Sequence, residues 1–219
     1  GTVNMDITAV NDSATLNLDL DDSSGAGGND FATSFVAEGA AVNITDGDTT
    51  ITDVDDTNME AGQIILTPGA DVESITIAGT PANMGTGNAI AITYATALQI
   101  DLAGTATLSD YQDVFEAIVY NNTTLNSSIN TGARTIALTV NDGDGNSAAA
   151  TSTVTVSKKP SITSATYNAN SGTLVVTGTE FAANAGANND IDISAFTLKG
   201  EGGVSYKLTT ATDVDRSST

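Results

Sequence analysis

Residues 134–156 read RTIALTVNDGDGNSAAATSTVTV, and this stretch decides the fold. Apolar and polar side chains alternate in RTIALTV (134–140) and again in ATSTVTV (150–156), which is the period-2 pattern of a half-buried β-strand. Between them, NDGDGNS (141–147) concentrates Asn, Asp and Gly, the residue types that favour turns for backbone reasons. The stretch therefore predicts two strands joined by an acidic loop.

The same alternation recurs along the chain, with Gly, Asn and Asp between the runs. Strands are also predicted for TVNMDITAV (2–10), AVNIT (41–45), TTITDV (49–54), QIILT (63–67), ESITIAG (73–79) and ALQIDLAG (97–104). About eight strands of antiparallel pattern favour an all-β fold built of sandwiches over a barrel or a βαβ fold.

One helix is predicted, over LSDYQDVFEAIVY (108–120). Ser109 and Gln112 have the spacing of a capping box at its start. Four apolar residues fall on one face at helical spacing: Tyr111, Val114, Phe115 and Ile118. A short helix that crosses between strands is expected.

Composition excludes several classes of chemistry. The chain contains no Cys, His or Trp, so zinc fingers, Cys–His nucleophiles and serine triads built on His lack their residues. A net charge of −21 repels nucleic acids and anionic lipid surfaces, and divalent cations are its natural counter-charge. No run approaches the ~18 apolar residues of a membrane span, so no membrane insertion is expected. The lack of cysteine at low pI suits a protein exported from a bacterium without disulfides, and it also suits many cytosolic proteins.

The acidic charge is unevenly distributed, which marks a domain boundary. Residues 1–157 contain 21 acids and one base, Arg134, whereas residues 158–219 contain 6 acids and 5 bases. The change falls at SKKPSI (157–162), where Pro160 cannot donate to a strand ladder and favours an extended linker. We expect residues 1–10 to be the last strand of a preceding repeat, 11–157 to be one acidic module, and 158–219 to be a second module, whole or truncated.

Three stretches of the acidic module carry a family resemblance: VAEGAAVNITDGDTTITDVDDTNMEAGQI (36–64), LAGTATLSDYQDVFEAIVYNNTT (102–124) and residues 134–156. In their order they resemble the cadherin-like repeat of large bacterial surface adhesins of the repeats-in-toxin type. PSITSATY (160–167) and LVVTGTEF (174–181) are similar to the immunoglobulin-like and transcription-factor-like sandwich repeats of such proteins. The resemblance implies two tandem antiparallel β-sandwich modules, cadherin-like and then immunoglobulin-like, with one short helix in the first.

The resemblance also implies calcium binding, because cadherin-like modules place an Asp-x-Asp pair and the loop between their last two strands against the incoming linker. Calcium takes six to eight oxygen ligands from carboxylates, amides, carbonyls and water. If the connectivity is the usual one, the ligands expected to converge on one end of the module are Asn11, Asp12, Asp53, Asp55, Asp142 and Asp144.

Other readings of these acidic stretches remain open. NDGDGNS taken by itself is more often a solvated hairpin turn than an ion site. It is not an EF-hand, because Thr153 stands where the ligating Glu would be. GAGGNDF (25–31) is one copy of a pattern that calcium-binding β-rolls repeat, so a surface loop is expected there. Glu38 matches a glutamate at the outgoing junction of cadherin-like modules, but SKKPSI carries no acid to accompany it.

The expected function is that of a calcium-rigidified spacer in a secreted bacterial surface adhesin, located at the cell surface. Its partners would be calcium ions and adjacent repeats of the same chain, while a host-surface or biofilm ligand would be bound by other domains; a monomer is expected. One alternative is a calcium-dependent carbohydrate- or protein-binding module, and another is a glycoside hydrolase-associated domain. Enzyme activity is not expected, because aromatic residues are only 5% of the chain and glycosidase sites need aromatic platforms around their carboxylates.

Overall fold

A computed structural model describes residues 10–81, 84, 89–168, 170–181, 183, 186, 190, 192, 194 and 196–207. The chain divides into two compact units, Gly1–Lys158 and Lys159–Thr219. Most of the strand predicted over residues 2–10, and most of the segment assigned to a preceding repeat, lie outside the described residues.

The described part of the first unit contains eleven strands and one helix, in the following order. They are β1 (Thr15–Asn17), β2 (Phe31–Val36), β3 (Val42–Asn43), β4 (Thr50–Thr52), β5 (Asn58–Thr67), β6 (Glu73–Ile77), β7 (Ala91–Thr96), β8 (Gln99–Thr107), α1 (Leu108–Glu116), β9 (Ile118–Asn122), β10 (Gly132–Asn141) and β11 (Ala150–Ser157). The prediction of a mostly β chain with a short helix is confirmed.

The described strands of this unit form three sheets. Six strands form one sheet in the order β2-β11-β10-β5-β8-β7, three form another in the order β3-β9-β6, and β1 pairs with β4. The predicted strand pair at residues 134–156 is present, with Arg134 opposite Val154 and Leu138 opposite Ala150. It lies inside the larger sheet, which explains why its apolar positions recur so regularly.

One strand pair departs from the antiparallel prediction. β2 runs parallel to β11, with Phe31 beside Ser152 and Val36 beside Ser157. No short turn joins these two strands, so nothing in the local sequence requires them to be antiparallel. Among the described strands, the β-sandwich expected from the sequence as antiparallel therefore includes a parallel pair at this edge.

The core fills the space between the large and the small sheet. Along β5, Ile64 and Leu66 are buried while the residues beside them are exposed, as expected for a strand with one face on the core. The ring of Phe35, from the large sheet, meets the ring of Tyr120, from the small sheet, edge to face at 5.4 Å and 84°. Apolar residues of both sheets therefore share one core, as in a β-sandwich.

Helix α1 is shorter than predicted and begins at a different cap. It ends at Glu116, and Ile118 begins β9, the central strand of the small sheet, so placing Ile118 on the helical face was wrong. The capping residue is Thr107: its Oγ1 accepts a hydrogen bond from the Asp110 amide at 3.2 Å, and the Asp110 carboxylate accepts from the Thr107 amide at 3.1 Å. The side chain of Gln112, assigned to the cap from sequence, donates to the Thr49 carbonyl instead.

This cap gives a matched pair of variants. We expect Thr107→Ala to lower the free energy of unfolding of the first unit by about 0.5–2 kcal/mol, because the Asp110 amide loses the side-chain oxygen that caps the start of α1. Ser109→Ala, at the second residue of the same helix, should change it by less than about 0.5 kcal/mol, since Ser109 is exposed and does not cap. Urea denaturation of both variants measures the difference, and equal losses would contradict the assignment of the cap.

The described residues of the second unit also form β-structure. β12 (Ser161–Asn168) pairs antiparallel with β13 (Thr173–Thr179), and β14 (Thr197–Lys199) pairs antiparallel with β15 (Ser205–Lys207). A single 3-10 turn, Glu201–Gly203, lies between the last two strands. A second sandwich over this unit stays a prediction.

Candidate metal centre

Three segments of the first unit meet around one group of acidic side chains. They are the chain before β1, the loop between β4 and β5, and the loop between β10 and β11. The Asn11 side-chain amide donates to Asp142 Oδ2 at 3.2 Å, and the Asp12 backbone amide approaches Asp55 Oδ1 at 3.4 Å. We call this group the first acidic cluster and define it as Asn11, Asp12, Asp53, Asp55, Asp56, Glu60, Asp142 and Asp144.

The loop between β4 and β5 is folded around the carboxylate of Asp53. Its Oδ1 accepts hydrogen bonds from the backbone amides of Asp55 at 3.0 Å and Asp56 at 2.9 Å, the usual way in which an Asp side chain organises a turn. Its other oxygen, Oδ2, is buried and has no hydrogen-bond partner in the described part of the chain. Carboxylate oxygens of Asp53, Asp55 and Asp56 lie within 4.8 Å of one another.

The loop between β10 and β11 is folded around Asp142 in the same way. Asp142 is only 4% exposed, and its Oδ1 accepts from the backbone amides of Asp144 at 2.9 Å and Gly145 at 2.7 Å. Gly143 has φ of 100°, a conformation that glycine adopts readily. Asp144 is exposed, so the two aspartates of this loop occupy different environments.

Glu60, on β5, was missed by the sequence analysis. Its Oε2 is buried without a hydrogen-bond partner among the described residues. A Cβ atom added to Gly143 would lie 3.2 Å from this oxygen, so the Glu60 carboxylate lies directly against the β10–β11 loop. The strand alternation of β5 did not reveal it, because a bulge between Met59 and Ala61 shifts the register with β8 at this point.

The clustered carboxylates have opposite pKa shifts. Burial raises the pKa of Glu60, and the charges of Asp56, Asp142 and Asp144 raise it further. Burial opposes ionisation of Asp142 too, but the hydrogen bonds from Gly145 and Asp144 outweigh it and lower its pKa. The cluster thus combines carboxylates that ionise readily with others whose ionisation burial and like charges oppose, as expected of crowded acids.

Burial also raises the pKa of Asp55, and so does its neighbour Asp53. For Asp53 itself, burial works in the same direction, but the hydrogen bonds from the Asp56 and Asp55 amides prevail and lower the pKa. A divalent cation would favour the ionised form of both groups.

A second acidic cluster lies elsewhere in this unit, and the sequence analysis missed it as well. Its four carboxylates approach within 4.8 Å of one another: Asp19, Asp21, Asp46 and Asp48. The buried Asp19 carboxylate already accepts amide hydrogen bonds from Ser23 at 3.0 Å and Ser24 at 2.8 Å. Two Asp-x-Asp pairs, DLD (19–21) and DGD (46–48), are the signal that could have found this cluster.

Other predicted features fall outside the clusters. The Glu38 side chain accepts from the Asn126 amide at 3.3 Å, and its φ of 60° places it in a turn after β2. The 25–31 loop has Gly25 and Gly28 at positive φ with open space around both, which agrees with the surface loop expected there.

The acidic clusters could hold a metal ion. Carboxylate, amide and backbone oxygens are the ligands of hard cations, and two buried oxygens of the first cluster have no hydrogen-bond partner among the described residues. In the described part of the chain, no helix is long and apolar enough to cross a bilayer. Comparison with known proteins finds no family, no curated protein and no solved structure that matches this chain.

Proposed function

We propose that this chain is a structural spacer segment of a secreted bacterial surface adhesin, and that calcium bound in the first acidic cluster stiffens it. The observation that carries the proposal is the meeting of residues 11–12 with two folded loops around buried, unpartnered carboxylate oxygens. Calcium between these groups would fasten the chain before β1 to the body of the sandwich.

Electrostatics supports a cation in this position. Two unit charges 4 Å apart repel by about 1 kcal/mol in water and about 4 kcal/mol near a protein surface. Carboxylate oxygens of Asp53, Asp55 and Asp56 lie within 4.8 Å of one another. Residues 1–157 offer a single base, Arg134, which pairs with Asp71 and Glu73 instead. In the described part of the chain, two side-chain hydrogen bonds, at 3.2 and 3.4 Å, link the 11–12 segment to these loops, and a cation would add to them.

Location and partners follow from the chemistry of such a site. Calcium modules outside cells bind with Kd of about 10⁻⁴–10⁻³ M, so a site of this kind fills at the calcium concentration of an extracellular medium. As a spacer the segment acts mechanically, with adjacent repeats as its partners and no catalytic step. A ligand would be bound by other domains of the parent protein.

Substitutions in the two loops test the site. We expect Asp53→Asn and Asp142→Asn each to weaken calcium binding at least tenfold in calorimetry, because each removes a charged ligand while the loop keeps its amide hydrogen bonds. Asp113→Asn is the matched control: it also removes one carboxylate, from the exposed face of α1, and should leave the affinity unchanged. Unchanged affinity in both loop variants would overturn the proposal.

Hydrogen exchange tests whether calcium stiffens the chain before β1. Saturating calcium should slow hydrogen exchange at the backbone amides of residues 11–14, while amides in the centre of β10 exchange slowly with or without it. If calcium binds but hydrogen exchange at residues 11–14 stays the same, the ion does not stiffen this segment. That result would contradict the spacer role.

A further inference from the structure

We propose that the Asp46–Gly47 peptide is a modification site, at which the folded chain converts Asp46 to isoaspartate without an enzyme. The inference depends on neither calcium binding nor the spacer role. Aspartate followed by glycine offers this reaction little steric hindrance, because glycine has no side chain beside the attacking nitrogen. The sequence contains three such pairs: Asp46–Gly47, Asp142–Gly143 and Asp144–Gly145.

The reacting groups of the first pair already lie together in the fold. The Gly47 amide donates a hydrogen bond to Oδ1 of Asp46 itself, at 2.5 Å. The other carboxylate oxygen, Oδ2, accepts from Ser23 Oγ at 2.8 Å, so the carboxylate is held in this orientation from both sides. The Gly47 nitrogen is therefore next to the carboxyl carbon that it must attack, and such a preformed contact accelerates a reaction strongly.

The surroundings of Gly47 leave room for the reaction. Gly47 is exposed, and a Cβ atom added to it would have no neighbour within 4 Å. On the other side of the pair the chain is anchored, because the Asp46 amide donates to the Leu18 carbonyl at 2.9 Å. The Gly47 peptide can therefore turn toward a fixed Asp46 without displacing packed atoms.

The other two Asp–Gly pairs have a different arrangement. The Gly143 amide donates to Asn141 Oδ1 at 2.8 Å, and the Gly145 amide donates to Asp142 Oδ1 at 2.7 Å. Each amide is thus turned to the side chain of another residue and not to the carboxylate that precedes it. The fold selects one of three identical dipeptides for the reaction.

The reaction proceeds through a cyclic imide and is balanced by water. The Gly47 nitrogen bonds to Cγ of Asp46, and one carboxylate oxygen leaves as water with the amide proton and one proton from solvent. Water then opens the succinimide ring. Addition at Cγ restores aspartate, whereas addition at the main-chain carbonyl gives isoaspartate, in which the backbone runs through Cβ. The Thr49 hydroxyl donates to this main-chain carbonyl at 2.7 Å and polarises it for the second course.

The product changes the second acidic cluster. Isoaspartate adds one methylene to the backbone at position 46 and leaves the free carboxylate on Cα. The carboxylates of Asp19, Asp21, Asp46 and Asp48, which approach within 4.8 Å of one another, then lose this arrangement. The reaction therefore alters this cluster over time in a chain whose sequence is unchanged.

The experiment follows isoaspartate in the full chain during weeks of incubation at neutral pH in calcium-containing buffer. Labelling by protein isoaspartate methyltransferase, followed by peptide mapping, locates the product. A parallel incubation in heavy-oxygen water records each ring opening as one incorporated oxygen. We expect at least about ten times more isoaspartate at position 46 than at position 142 or 144. In urea, where the contacts are lost, the three positions should react at similar rates.

Gly47→Ala tests the pair directly, because its methyl group has open space in the fold but hinders the attacking nitrogen. It should lower isoaspartate at position 46 by about tenfold. Gly27→Ala is the matched control: Gly27 is also exposed with open space around it, and its substitution should leave position 46 unchanged. Circular dichroism establishes that both variants are folded.

Three results would overturn the proposal. One is an equal level of isoaspartate at the three positions in the folded chain. Another is no isoaspartate and no heavy oxygen at position 46 in the folded chain when urea produces both. The third is an unchanged level at position 46 in folded Gly47→Ala. None of these results bears on calcium binding in the first acidic cluster, so the proposed function stands or falls separately.

Discussion

Replacing Arg134 with Met should remove about 3–5 kcal/mol from the free energy of unfolding of the Gly1–Lys158 unit. Arg134 is 5% exposed and forms ion pairs with Asp71, at 2.9 Å, and with Glu73. Tyr120 Oη donates to Glu73 at 2.6 Å, and the Asn122 side chain donates to Asp71 at 3.1 Å. Removing the guanidinium leaves two buried carboxylates without their counter-charge, which is the costly way to break a buried ion pair.

Denaturation by urea or heat measures this loss. For a unit of this size it corresponds to a fall in Tm of roughly 6–20 °C. Lys158→Met is the matched control, since it removes an equal charge at the end of the unit, and it should cost less than about 1 kcal/mol. Adding Asp71→Asn and Glu73→Gln to Arg134→Met should recover part of the loss, because no buried charge is then left unpaired. A loss below about 1 kcal/mol for Arg134→Met would show that the network is not important for stability.

Withdrawal of calcium should also destabilise the Gly1–Lys158 unit. A ligand that binds only the folded state adds about 2.7 kcal/mol at a hundredfold excess over Kd, and chelation removes that amount. The effect should be largest at low salt, where 21 acids and one base in residues 1–157 repel with little screening. Thermal unfolding in calcium and in chelator measures the difference.

The control for this prediction is the double variant Asp53→Asn/Asp142→Asn. Its unfolding curves in calcium and in chelator should lie much closer together than those of the parent chain. In chelator it should be as stable as the parent or more so, because two repelling charges are gone. Superimposable curves for the parent chain in low-salt buffer would be incompatible with a calcium site in the folded state.

The fold was largely predictable from sequence because its main strands have one face on the core. Alternation alone located β5, β6, β8, β10 and β11. Alternation failed where the sequence pattern of a segment differs from its place in the fold. IVY (118–120) continues the helical spacing of apolar residues in α1, yet these residues begin β9, which lies between β3 and β6. The parallel pairing of β2 with β11 joins residues more than a hundred positions apart, so no local signal encodes it.

The candidate site was predictable only in part. Asp53, Asp55 and Asp142 were expected from the family resemblance, and in the structure Asp142 and Asp55 contact Asn11 and Asp12. Glu60 was not predicted as a site residue. Its position against Gly143 depends on the bulge in β5 and on the β10–β11 loop, which lies about 80 positions further along the chain. The second acidic cluster was not predicted at all, since its two Asp-x-Asp pairs are brought together only by the folding of β1 against β4.

The parallel pairing of β2 with β11 has a mechanical consequence. When the chain is pulled at Phe31 and at Ser157, the two strands are drawn in opposite directions along their common axis, so the hydrogen bonds between them are loaded in shear. All of these bonds must then fail together, whereas a hairpin pulled from its open end loses them one after another. Forced unfolding follows the unfolding rate, and a shear-loaded edge raises that barrier without any change in equilibrium stability. The unit would therefore resist tension along the chain better than its thermal stability suggests.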